Sequence, residues 1–113
     1  MNENKRGAIR INSLNLSYIG IDENNEIVKQ AIGRTLNISE SGILLETHFP
    51  IDTGQIVSIT LALEDDLINM RGEVVYSRAG NEEKFETGVK FFEMVDESQQ
   101  TLKKYIQDFK HQA

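Results

Sequence analysis

Apolar and polar residues alternate along most of this chain, and that alternation is what predicts its fold. In residues 55–63, Val57, Ile59, Leu61 and Leu63 share one face. In 67–78, Ile68, Met70, Val74 and Tyr76 do so around Gly72, and in 84–92, Phe85, Val89 and Phe91 do so. A period of two is the pattern of half-buried strands, because successive side chains of a strand leave on opposite faces. Earlier strands are expected at about 9–20, 27–38 and 42–47. Turn-forming residues separate them at 22–25, 52–54, 65–66 and 79–81. One segment has a different period. Leu102, Tyr105, Ile106 and Phe109 recur at i, i+3, i+4 and i+7, which predicts a helix over 96–110. Asp96 is expected as its N-cap, with Gln99 closing a capping box.

Six short strands followed by one helix predict an all-β fold with a C-terminal helix, a closed antiparallel barrel of six strands. Closure removes the exposed sheet edges that an open arrangement would leave. Gly72, in mid-strand, suits a bend or bulge in the barrel wall. The 113 residues read as one domain, with 1–10 as a flexible arm, about 9–92 as barrel and 96–110 as helix.

Composition narrows the function. The chain has no cysteine, so disulfides and thiolate metal sites are excluded. Apolar runs are only a few residues long, far short of the ~20 that a membrane helix needs, and 1–10 has no leader-like apolar stretch. A cytoplasmic location is the expectation. The net charge of −6 argues against long nucleic acid, whose binding rests on neutralising phosphates. The charge is uneven: residues 1–34 carry +1 and residues 35–113 carry −7. Within the first ten residues Lys5, Arg6 and Arg10 face a single carboxylate, Glu3, so any bound anion is expected to be small and close to this arm. No catalytic constellation is legible. His48 and His111 lack partners at useful spacing, and the Glu64-Asp65-Asp66 run reads as a solvated hairpin tip. Neither a metal nor a cofactor is expected.

Two segments carry chemistry. In the first, Arg6 and Arg10 lie four apart around Gly7 at the entrance to a strand. Arginine presents a planar fork of donors that matches phosphate oxygens and the guanine O6/N7 edge, and its plane stacks on bases. The second is Asn37-Ile38-Ser39-Glu40-Ser41-Gly42. Strict alternation puts Leu36 and Ile38 inward and Asn37 and Ser39 outward as a short hydrogen-bonding row. Gly42 then permits a left-handed turn or close backbone approach to a ligand. Tyr76 and Arg78 are candidates to border a ligand, but the same alternation puts Tyr76 on the core face, so both are expected to be structural.

Taken in order and at this spacing, Arg6 and Arg10 followed by Asn37, Ser39 and Gly42 resemble the R-x3-R and [D/N]-x-S-x-x-G motifs of the PilZ domain family. The resemblance covers nearly the whole chain, with 72–78 and 87–91 similar to the family's late strands. It implies a six-stranded barrel that binds the bacterial second messenger cyclic di-GMP on its outer surface. It further implies that Arg6 and Arg10 contact phosphate and guanine, that Asn37 and Ser39 bond a guanine edge, and that Gly42 lets the backbone come close. Lys5 and Ser41 border that set. The expected function is a receptor or adaptor, not an enzyme, that signals to an effector protein, typically of motility, polysaccharide or adhesion machinery. The alternative is a PilZ-like domain that works by protein contact without nucleotide.

Overall fold

A computed structural model of the chain describes residues 11–12, 16–24, 26–63 and 66–112, with side chains described from 17 to 108 within those ranges. It contains β1 (Ile11–Asn12), β2 (Leu16–Glu23), β3 (Glu26–Ile38), β4 (Gly42–Thr47), β5 (Ile56–Leu63), β6 (Asp66–Ala79), β7 (Phe85–Met94) and α1 (Asp96–Gln112). Every pairing is antiparallel, in the order β3-β2-β5-β6-β7-β4, and the β3–β4 pairing closes a six-stranded barrel. β1 lies along β3 beyond the end of β2, with Ile11 opposite Ile38 and Asn12 opposite Asn37. The strand expected at 9–20 is therefore divided in two. The break faces Thr35 and Leu36, where the β3–β4 register also slips.

The core follows the alternation. Val57, Ile59, Leu61 and Leu63 of β5 are all buried, with Ile19, Ile43, Leu45, Ile68, Met70, Val74 and Val89 from the neighbouring strands. Each such side chain contributes roughly 1.5–3 kcal/mol by leaving water. Leu102 and Ile106 of α1 pack into the same cluster, and Tyr105 lies half-buried against it. The Ser98 hydroxyl accepts a bond from the Asn69 amide at 3.2 Å, docking the first helical turn on β6. The helix starts differently from the expectation. The Gln99 amide donates to the Val95 carbonyl at 3.0 Å, so Val95 holds the cap position and Asp96 and Glu97 lie in the first turn. There their charge suits the positive end of the helix dipole. The cause is that β7 runs on to Met94 and leaves no room for a separate capping residue.

Polar side chains inside the wall are paired. Ser17 meets Thr35 at 2.7 Å, and Thr87 meets Ser77 at 2.9 Å and Thr47 at 3.2 Å. At one end Arg71 joins three strands, with Nη2 3.1 Å from Asp22 and Nη1 2.9 Å from Glu93. Its hydrogen bonds, to Glu93 first and then to Asp22, hold its pKa above the ordinary value. No described helix is long and apolar enough to cross a membrane.

Candidate functional site

Lys5, Arg6 and Arg10, with the whole expected arm 1–10, lie outside the described residues, as do Glu64 and Asp65. The second motif segment is described. β3 ends at Ile38 and β4 begins at Gly42, joined by the turn 39–41. The Ser39 amide donates to the Gly42 carbonyl at 2.9 Å. Ser39 Oγ donates to the same carbonyl at 3.4 Å, accepts from the Ser41 amide at 3.3 Å and lies 3.2 Å from Ser41 Oγ. The Phe91 amide donates to the Ser41 carbonyl at 3.0 Å, tying the turn to β7.

This geometry corrects the expected outward row. Thr35, Ile38 and Ser39 are fully buried, whereas Leu36 and Asn37 are half-buried. The cause is a register slip: Thr35 faces Leu45 and Asn37 faces Leu44, so β3 carries one residue more than β4 at this point. Strict alternation fails at such a bulge. Asn37 consequently faces the outer surface while Ser39 is folded into the turn behind it. For Gly42 the left-handed turn is corrected: its φ is not left-handed. A Cβ on it would come 2.6 Å from the Val89 carbonyl oxygen, so the glycine also allows a close approach between β4 and β7.

Beside this turn lies a depression of about 480 Å³ on the outer wall of β4, β7 and β6. Asn37, Ser41, Gly42 and Leu44 line one side, and Tyr76, Arg78, Gly88 and Lys90 line the other. Ser39 does not line it. Tyr76 is present because of a second register slip. Val74 faces Val89 and Tyr76 faces Gly88, so Val75 is the extra residue and the phase of β6 reverses. Tyr76, expected in the core, is exposed, as is Val75. A Cβ on Gly88 would lie 2.6 Å from Tyr76 Cε2, so the ring rests on bare backbone. The Arg78 guanidinium lies 5.2 Å from the centre of that ring, with Nη2 3.2 Å from Glu86 Oε1.

Chemically, the depression offers an amide, a hydroxyl, an aromatic ring and two cations, with no carboxylate among its lining residues. In a chain of net charge −6 this is a local concentration of positive charge suited to a small anion bearing a flat ring. Lys90 escaped the sequence reading, which weighs Tyr76 and Arg78 as ligand neighbours and sets them down as structural. The available signal was the apolar pair Val74-Val75, which breaks the alternation two residues after Gly72. Among the described residues no group of three His, Cys, Asp or Glu side chains is placed to hold a metal ion.

Residues 4–108 match the family model of the PilZ domain. No curated protein sequence matches the chain. Among solved structures, it is similar to the Bacillus subtilis inhibitor of motility MotI/DgrA, with a TM-score of 0.77 and 16% identity over 93% of this chain and 51% of the other. It is similar to the PilZ domain with c-di-GMP of YcgR from Escherichia coli, with a TM-score of 0.70 and 12% identity over 93% and 91% of the two chains. The K. pneumonia MrkH–c-di-GMP complex matches with a TM-score of 0.71 and 14% identity over 93% and 52%. The chain thus spans about half the length of MotI and MrkH.

Proposed function

The chain belongs to the PilZ domain family, and from that premise we propose that it is a cyclic di-GMP receptor that signals to a partner protein and carries out no catalysis of its own. The observation that carries this reading is the pairing of β1 with the end of β3. Ile11, the residue after Arg10, lies opposite Ile38, and Asn12 lies opposite Asn37. A trans peptide spans only ~3.8 Å between Cα atoms. In this reading the arginine motif reaches the turn 39–41 and the depression next to it. Arg6 and Arg10 supply the forked donors for phosphate and guanine, with Lys5 adding long-range attraction. Asn37 bonds a guanine edge, and Ser41 adds a hydroxyl at the rim. Ser39 and Gly42 act through the backbone, shaping the turn that presents them.

In this reading the ligand draws residues 1–10 over the barrel face and so presents a new surface to an effector, in the manner of an order–disorder switch. The protein works in the cytoplasm, where the messenger is made. YcgR and MrkH have each been solved with c-di-GMP, and MotI is an inhibitor of motility. Those relatives support the ligand, and we infer an effector in motility, polysaccharide or adhesion machinery. Calorimetric titration with cyclic di-GMP, with GTP and cyclic di-AMP as controls, tests the proposal. Micromolar or tighter affinity, about −8 kcal/mol, is expected. Absence of heat and of NMR shifts at several hundred micromolar ligand would overturn it in favour of a protein-contact domain that binds no nucleotide.

A further inference from the structure

We propose that Glu86 is an internal counter-anion that holds Arg78 before ligand binds and sets the affinity for the ligand by competing for it. The inference rests on the cyclic di-GMP reading and adds to it a residue outside the binding motifs. Arg78 and Glu86 are direct cross-strand partners on β6 and β7, and Tyr76 and Gly88 are the next pair on the same face toward the turn 39–41, beyond the inward pair Ser77 and Thr87. The side chains of Tyr76, Arg78 and Glu86 project from the outer wall. Arg78 lines the depression, whereas Glu86 does not. The 3.2 Å ion pair therefore engages the guanidinium from outside the depression.

The two partners differ in freedom. The Arg78 side chain is 66% exposed and can turn about its own stem, while the Glu86 side chain is 29% exposed. Of the two, the carboxylate is the more enclosed partner and the guanidinium the freer one. Among the described residues the second lining cation, Lys90, makes no ion pair. Of the two charges facing a ligand phosphate, Arg78 alone must first exchange one anion for another. Arginine forms forked bonds equally well with carboxylate and phosphate, so the exchange conserves hydrogen bonds and is decided by charge and geometry. A dianion flanked by Tyr76 gains the guanidinium only at the expense of Glu86.

Titration of the full chain with cyclic di-GMP at low and physiological salt, for Glu86→Gln, Arg78→Ala and the double variant, tests this. Removing the competing charge is expected to tighten binding about three-fold, the size of an exposed ion pair. Arg78→Ala is expected to weaken it about ten-fold and to flatten its salt dependence, as loss of a charge-assisted contact does. In the Arg78→Ala background, Glu86→Gln should change nothing. A gain in affinity is not an outcome that structural damage produces. Unchanged or weaker binding by Glu86→Gln, or unchanged binding by Arg78→Ala, overturns the inference while leaving the receptor reading intact. Absence of binding by the unsubstituted chain overturns the receptor reading, and the inference falls with it.

Discussion

The ring of Tyr76 lies against the backbone of Gly88, so close that a Cβ at position 88 would come within 2.6 Å of Cε2 and 2.8 Å of Cζ. An aromatic side chain is fixed here by the absence of a side chain across the strand pair. Gly88→Ala is accordingly expected to push the ring out of place and to weaken cyclic di-GMP binding. Tyr76→Ala should weaken it by about 1–3 kcal/mol, the size of one base–aromatic stacking contact. In the Tyr76→Ala background, Gly88→Ala should have no further effect on binding, because the clashing atoms are gone. Calorimetry on the two single variants and the double variant checks this.

Gly42 is explained by packing between strands. A Cβ there meets the Val89 carbonyl oxygen at 2.6 Å, and backbone cannot step aside as a flexible side chain can. Gly42→Ala is expected to destabilise the fold by about 1–3 kcal/mol, the usual cost of overpacking. Urea unfolding without ligand reads this directly. Unchanged stability would show that β4 and β7 separate easily at this point.

Ser39 is fully buried, and its hydroxyl bonds Ser41 and the Gly42 carbonyl. Ser39→Ala is therefore expected to cost about 1–2 kcal/mol of stability through lost hydrogen bonds and an unpaired group in the turn. Ser41→Ala, at an exposed position, should cost less. The comparison of the two unfolding midpoints separates a turn-closing serine from a rim serine.

The arginine motif is tested by truncation. Arg10→Ala should cost on the order of 1.5–3 kcal/mol of binding, as expected for a charge-assisted contact. Lys5→Ala should cost less, and its effect should fade with salt. Equal affinities at physiological salt would contradict the motif assignment.

The β6–β7 hairpin offers a prediction about stability alone. Its turn puts Glu82 and Glu83 at φ of 54° and 64°, the left-handed region at both central positions. The Lys84 amide donates back to the Asn81 carbonyl at 2.9 Å. Turns of this type favour Asn-Gly, because L side chains are strained there. Replacing Glu82-Glu83 with Asn-Gly is expected to raise stability by roughly 0.5–2 kcal/mol without changing ligand affinity. A thermal unfolding midpoint that stays put or falls would show that this turn carries no strain.

What the sequence alone determined is whatever depends on local period and residue chemistry. The alternation in 55–63 named the core face of β5 correctly because a regular strand has only two faces. The i, i+3, i+4 spacing of Leu102, Tyr105 and Ile106 marked the buried stripe of α1 for the same kind of reason. The motif Asn37, Ser39, Gly42 marked the turn between β3 and β4, since those residue types favour turns. The tertiary structure alone decided which of these side chains face outward. That depends on register, and register is a property of two strands. The slip after Thr35 turned Ser39 inward, and the slip after Val74 turned Tyr76 out beside Arg78. One inserted residue reverses every position beyond it, and a break in alternation such as Val74-Val75 becomes a located insertion only once the partner strand is paired.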